Sequence, residues 1–426
     1  MAIAVRDLIE ADPESAGISP AGLANLAGWS RQQVDLGHIP GVITMVARHG
    51  KVVYADAYGS MDVEAGKPMA PDAIFRIYSM TKPIVSVGLM MLYEEGRFQL
   101  DDPVLTFIPE WQNLKVFVDG TAAQHQLREP VRPPTVRDLL MHTGGLPGLY
   151  SLQGSLGMPM SPAQELHFSA GIHTFPDTFP GNHDTLRDMA LKMAQVPLEA
   201  DPGANWIYGL STDMVGYLCE VLSGRPLDRY LDERILQPLG MTDTAFQVAH
   251  GNVERLTACY RTGLAGETAY VLQDSPATSR FTRTPTLFSG VAGLTSTAAD
   301  YMRFAKMLAN GGELDGVRIL GPRTLGLMGS NHLPAGQDLA AVTRPGPMPP
   351  RVGQGFGLGF GVLLDPARAG IIGTPGEISW GGAASTAFFV SPRDELVGLL
   401  MTQLLGGVGF QFATYLRSTL YPALLD

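Results

Sequence analysis

The sequence predicts an α/β (α+β) protein in which one antiparallel sheet, built from both chain ends and flanked by helices, accompanies a mainly helical second domain. Three observations predict it. Residues 41–59, GVITMVARHGKVVYADAYG, are rich in β-branched and aromatic residues on either side of a turn-like RHGK, the pattern of a β-hairpin. Near the other end, GFGVLLD, AASTAFFVS and ELVGLLMTQ supply three more strand candidates, the last two joined by the turn PRD. Between them, over roughly residues 80 to 280, helical segments such as STDMVGYLCEVLSG and PLDRYLDERILQPLG are broken by Pro/Gly-rich loops.

In chain order, Ser19 and Pro20 read as an N-cap with proline in the first turn, and Leu23, Leu26, Ala27 and Val34 then share one helical face. The hairpin follows, and FQFATYLRSTLYPALL closes the chain as a helix. Residues 1–79 with 284–426 are therefore expected to form the α/β domain and 80–283 the mainly helical one, with the active site between them. Two loops stand out, REPVRPPT at 128–135 and RPGPMPPRVGQGFG at 344–357. The second precedes the C-terminal strands closely enough to border a site.

A chain of 426 residues, 45% of them hydrophobic, exceeds one ordinary core. Its formal net charge of -11 repels nucleic-acid phosphates and anionic lipid, which leaves a small neutral or cationic molecule as the expected partner. Cys219 and Cys259 are the two cysteines, too few for a disulfide framework, and are expected as buried thiols. The first residues meet Asp and Glu before any long apolar run, and no stretch of about 18 apolar residues follows. The expectation is a soluble, cytoplasmic protein of open oligomeric state.

Residues 75–96, FRIYSMTKPIVSVGLMMLYEEG, carry the chemistry. On a helical wheel Met80, Ile84, Val87 and Met91 make one stripe, other apolar residues fill most of the rest, and Ser79, Lys82 and Ser86 share the remaining arc. An otherwise buried helix thus keeps one narrow polar edge with a hydroxyl and an amine one turn apart. Pro83 lacks an N–H, which places Ser79 near the helix start, where unpaired backbone donors create a positive field. A nucleophile there brings half an oxyanion hole with it.

A serine hydroxyl needs a base. No G-x-S-x-G occurs in the chain, so the nucleophile elbow of α/β-hydrolases is missing, and the likeness of His142 in MHTGGL to an oxyanion-loop HGG carries no weight without it. His167, His173 and His183 fall in a loop-rich region without ligand spacing, so no metal site is expected.

Four segments supply a family likeness: Ser79-Met80-Thr81-Lys82, TVRDLLMHTGGLPG, DPGANWIYGLSTDMVGYL and ISWGGAAST, which together span residues 75–386. In this order they resemble the serine β-lactamase and penicillin-binding-protein superfamily, and within it the class C β-lactamase-like carboxylesterases called family VIII esterases. The resemblance implies that fold, no cofactor, Ser79 as nucleophile, Lys82 as its partner and Tyr208 at the tyrosine of the family's Tyr-x-Asn motif. Trp380-Gly381-Gly382 would stand at the strand position of Lys-Thr-Gly, with the Ala383 N–H as second oxyanion donor beside that of Ser79. A free phenol has a pKa near 10, a deficit of about 4 kcal/mol at pH 7 that a cation about 3 to 4 Å away can largely offset. Lys82 would either stabilise a tyrosinate or serve as the base itself.

Two departures qualify the likeness. Tyr208-Gly209-Leu210 replaces the asparagine with an apolar residue, and Trp380 replaces the lysine, so a substrate carboxylate loses its obvious partner and neutral esters fit better than penicillins. Trp380, Gly381, Gly382 and Leu210 are the expected substrate-binding residues. The resemblance implies a serine carboxylesterase acting on short- to medium-chain esters, with β-lactam hydrolysis as a side activity. A β-lactamase, transesterase or D-aminopeptidase of the same fold is the alternative within enzymes, and a non-catalytic acyl- or peptidoglycan-binding relative the alternative outside them.

Overall fold

His49 and Gly50 both adopt positive φ, 50° and 74°. A two-residue turn of that kind matches the twist of the strands it joins, so residues 41–62 fold back on themselves as a hairpin. A computed structural model describes residues 4–148, 159–263, 269–344, 351–406 and 409–426. The main sheet comprises β1 (Gly41–Arg48), β2 (Lys51–Asp62), β3 (Lys67–Pro68), β4 (Gln354–Phe356), β5 (Gly361–Leu363), β6 (Ile378–Gly381), β7 (Ala387–Ser391) and β8 (Leu396–Met401). Their spatial order is β4-β5-β6-β7-β8-β1-β2-β3. The two chain ends therefore meet in the middle of the sheet, where Ile43 of β1 lies opposite Met401 of β8 in an antiparallel ladder.

The helices used below are α1 (Pro20–Asp35), α2 (Thr81–Glu94), α3 (Ser211–Ser223), α4 (Ala298–Ala309) and α5 (Gly409–Leu420). Every residue of β1 is buried, because both of its faces are covered. Val42 and Val46 join Leu23 and Leu26 of α1 and Phe412 and Leu416 of α5, whereas Ile43 and Met45 belong to the main core with Tyr301 of α4. Alternate side chains thus serve two layers. Ser19 caps α1 by accepting from Gly22 N–H at 3.3 Å, with Pro20 in the first turn, as the sequence indicates.

The middle of the chain is helical but also holds two hairpins that its pattern did not announce, Val116–Gly120 with His125–Arg128, and Cys259–Thr262 with Tyr270–Asp274. Their strands are short and partly exposed, so neither alternation nor a long apolar run marks them. Cys259–Thr262 also pairs in parallel with Leu404–Leu405, and Ile74–Arg76 pairs with Thr295–Thr297. The second pairing sets the segment leading into Ser79 against the segment just after residue 291. Both cysteines are buried free thiols, and burial pushes that of Cys259 up to about 11. Among the described residues no helix is long and apolar enough to cross a membrane.

α2 packs chiefly on α3 and is buried from Thr81 through Leu92. Its polar edge is covered by backbone: a Cβ on Gly359 would lie 2.3 Å from Ser86 Oγ, so only glycine lets the strand that becomes β5 pass there. Part of the 344–357 loop, residues 345–350, lies outside the described residues.

The C-terminal helix is fastened to the sheet by a buried ion pair. Arg417 Nε donates to Glu377 Oε1 at 2.7 Å, the Tyr421 hydroxyl donates to Oε2 at 2.8 Å, and the two charged side chains are 7% and 1% exposed. Removing one partner strands the other charge in the interior, so Glu377→Ala is expected to cost about 3 to 5 kcal/mol in urea unfolding. A loss below about 1 kcal/mol contradicts this.

Candidate active site

Tyr78, immediately before the candidate nucleophile, sits at φ 41°, a left-handed conformation that a bulky residue rarely adopts. The strain falls at the 3-10 turn Tyr78–Met80 that leads into α2, and it aims Ser79 back over the helix start. Ser79 is 8% exposed and Lys82 1%. Lys82 Nζ donates to Ser79 Oγ and to Val291 O, each at 3.0 Å, and lies 4.5 Å from the centroid of the Tyr208 ring. An ammonium has three donors, and here they meet a hydroxyl, a carbonyl and an aromatic face.

None of those three partners carries a full negative charge. Compensation comes from Asp213, in the first turn of α3, which the sequence reading missed. It is 0% exposed and accepts from the Ser289 hydroxyl at 2.8 Å and from Val291 N–H at 3.0 Å. The peptide of Val291 therefore joins the two charges: its N–H faces Asp213 and the carbonyl of the same residue faces Lys82. Gly290 allows this, since a Cβ there would stand 2.3 Å from Thr212 O. Burial raises the Asp213 pKa to about 6, against the pull of Ser289, Val291 and the Lys82 charge. Its Oδ2 is buried and meets the distance and angle criteria of a hydrogen bond with none of the described residues. The signal that could have found it is the one that found Lys82, a charge on the buried side of an apolar helix.

Tyr208 is held by aromatic neighbours and by backbone. Its ring stacks on Trp206 at 5.5 Å, and lies 4.9 Å from His142 and 5.3 Å from Trp380. Trp380 Nε1 donates to its hydroxyl at 3.2 Å. His142 O accepts from Ile207 N–H at 2.9 Å, and the Gly209 position admits only glycine because a Cβ would fall 1.9 Å from Pro147 O. Burial, reinforced by the Lys82 charge, holds the His142 imidazole well below its usual range, so it is a neutral packing partner at pH 7. MHTGGL thus does reach the site, as the floor under Tyr208.

The strand edge closes the other side. Gly382 approaches so near that a Cβ would lie 2.5 Å from Ile77 O, which sets the end of β6 against the turn carrying Ser79. The following turn is closed by Gly382 N–H to Thr386 O at 2.8 Å and Ser385 N–H to Gly382 O at 3.0 Å, bonds that use neither the N–H nor the carbonyl of exposed Ala383. Ser385 is itself left-handed, at φ 66°. Trp380, Gly381, Gly382 and Ala383 are thus brought to Ser79, Lys82 and Tyr208. Leu210 is not: it is 2% exposed and lies in the main core, so its side chain supports α3 instead of facing a ligand.

Among the described residues no group of three or more His, Cys, Asp or Glu could hold a metal. His167 is bound to Pro197 O at 2.8 Å and His173 is stacked on Phe179 at 3.7 Å.

Asp213 gives the site a measurable signature. Its folded pKa lies above its ordinary 3.8, so the folded state holds the proton more tightly and stability falls as pH rises from about 4 to about 6. Relative to Asp213→Asn, the unmodified protein is expected to lose about 2 kcal/mol of unfolding free energy between pH 4 and 7. Parallel pH curves for the two proteins contradict this.

Known proteins carry the same framework. The Beta-lactamase family matches residues 26–419. Protein Rv1367c of Mycobacterium tuberculosis is 33% identical over 377 residues, 88% of each chain. Esterase EstB of Burkholderia gladioli is 32% identical over 412 residues, covering 92% of this chain and 93% of that one. Among solved structures, EstCE1, described as a hydrolase with promiscuous acyltransferase activity, superposes with a TM-score of 0.75 at 28% identity, covering 94% of this chain and 98% of that one. The chain belongs to the beta-lactamase family, in the family VIII branch that its motifs resemble, and is an enzyme of serine-based hydrolysis or acyl transfer.

Proposed function

We propose that the protein is a carboxylesterase that cleaves short- to medium-chain esters through an acyl-enzyme on Ser79. The observation that carries this reading is the 3.0 Å contact between Ser79 Oγ and the buried Lys82 Nζ. Ser79 Oγ attacks the ester carbonyl while its proton passes to the Lys82–Tyr208 pair. The oxyanion that forms is received by the N–H groups of Ser79 and Ala383. Collapse expels the alcohol, which takes the proton from the pair. Water then repeats the sequence on the acyl-enzyme and releases the acid. The indole N–H donated to the Tyr208 oxygen fixes the position of that oxygen, as such a relay requires.

The names of EstB and EstCE1, an esterase and a hydrolase, support ester cleavage. Leu210 supports esters over β-lactams, because the amide of the family's Tyr-x-Asn is replaced by a side chain turned into the core. Loss of one such hydrogen bond is worth about 0.5 to 1.5 kcal/mol. Transfer of the acyl group to an alcohol would use the same intermediate, and the description of EstCE1 favours it as a second outcome.

The test is kcat/KM for 4-nitrophenyl butyrate against nitrocefin, with peptide mapping of the acylated protein. The ester is expected to be preferred by about two- to tenfold, with the adduct on Ser79. A preference for nitrocefin makes the protein a β-lactamase, and an adduct on another serine removes the mechanism.

A further inference from the structure

We propose that Arg351 is a specificity residue that receives a carboxylate on the substrate, so that the preferred esters are monoesters of dicarboxylic acids. The proposal rests on the esterase reading and names its substrate class. At the sequence level the strand position of Lys-Thr-Gly holds Trp380, and the site loses its cation. The fold returns one from a different segment: the guanidinium carbon of Arg351 lies over the Trp380 ring, 5.0 Å from its centroid. The same indole is hydrogen-bonded to Tyr208, so the cation borders the reacting groups at one remove.

Arg351 is also held in place. Its carbonyl accepts from Gln354 N–H at 3.4 Å in the turn that opens β4, and Gly353 N–H in that turn donates to Asp338 Oδ2 at 3.0 Å. Asp338, 8% exposed, is itself fixed by Arg368 at 2.7 Å. Two residues into β4, Phe356 packs edge-on to Trp380 at 5.3 Å. Loop, strand and indole are therefore one packed unit, and Arg351 is half-buried on it. Burial pushes its pKa down to about 10, against the influence of the Tyr208 phenol, although the side chain keeps part of its surface in water. A guanidinium is planar and carries five N–H donors, enough to meet a carboxylate by two parallel bonds beside its other contacts. A carboxylate borne on the acyl chain and lying along Trp380 would meet it there.

The experiment compares two esters of equal chain length, mono-4-nitrophenyl adipate and 4-nitrophenyl hexanoate, on the wild type, Arg351→Met and Arg351→Lys. The readout is the ratio of the two kcat/KM values on each protein, which cancels any difference in the folded fraction. The adipate:hexanoate ratio is expected to fall at least about tenfold in Arg351→Met and to stay within about threefold of wild type in Arg351→Lys. Hydrolysis of both esters with the same ratio in wild type and Arg351→Met overturns this inference alone. A wild type that hydrolyses neither ester overturns the esterase reading and this inference with it.

Discussion

The site depends on holding one lysine amine, that of Lys82, almost dry. Lys82 sits one turn into a helix whose other faces are core, and an unpaired charge there would be prohibitive. Three unrelated segments converge to hold it: the turn carrying Ser79, the peptide of Val291 and the ring of Tyr208. Asp213 adds the opposite charge through that same peptide, although burial disfavours its own ionised form. Chemistry and strain are therefore concentrated at the same few residues, as expected where a fold is arranged for reaction more than for stability.

Close backbone approach makes the convergence possible. Gly209, Gly290, Gly359 and Gly382 each stand where a Cβ would strike a neighbouring segment, and all four lie where a loop or strand crosses another at the site. Tyr78, His142 and Ser385 complete the frame as residues with side chains held at positive φ. Left-handed backbone at three points around one nucleophile is a cost in stability that the surrounding core, from Trp206 to Phe356, is large enough to hold.

Ser79 and Lys82 were legible in the sequence because periodicity isolates them, with Ser86, on the polar arc of an apolar helix and the family likeness then assigns their roles. The hairpin at His49-Gly50 and the strands near residues 387–401 were legible for a similar reason, since period and turn chemistry are local. Tyr208 and Trp380 needed the family likeness, as nothing local distinguishes either from a core aromatic. Asp213, His142 and Arg351 reach the site only through tertiary contacts, from a helix start, a short turn and a proline-rich loop. Leu210 shows the opposite error: motif position suggested a ligand contact, but its side chain is buried in the main core.

The central claim is that Lys82 and Tyr208 act on Ser79 as one unit. The most direct measurement is a double-mutant cycle on kcat with 4-nitrophenyl butyrate, using Lys82→Ala, Tyr208→Phe and the double variant. A shared proton relay predicts that each single change lowers kcat by about 100-fold or more, and that the double variant is scarcely slower than the slower single variant. Losses that multiply across the cycle would contradict the account, because the two residues would then act independently.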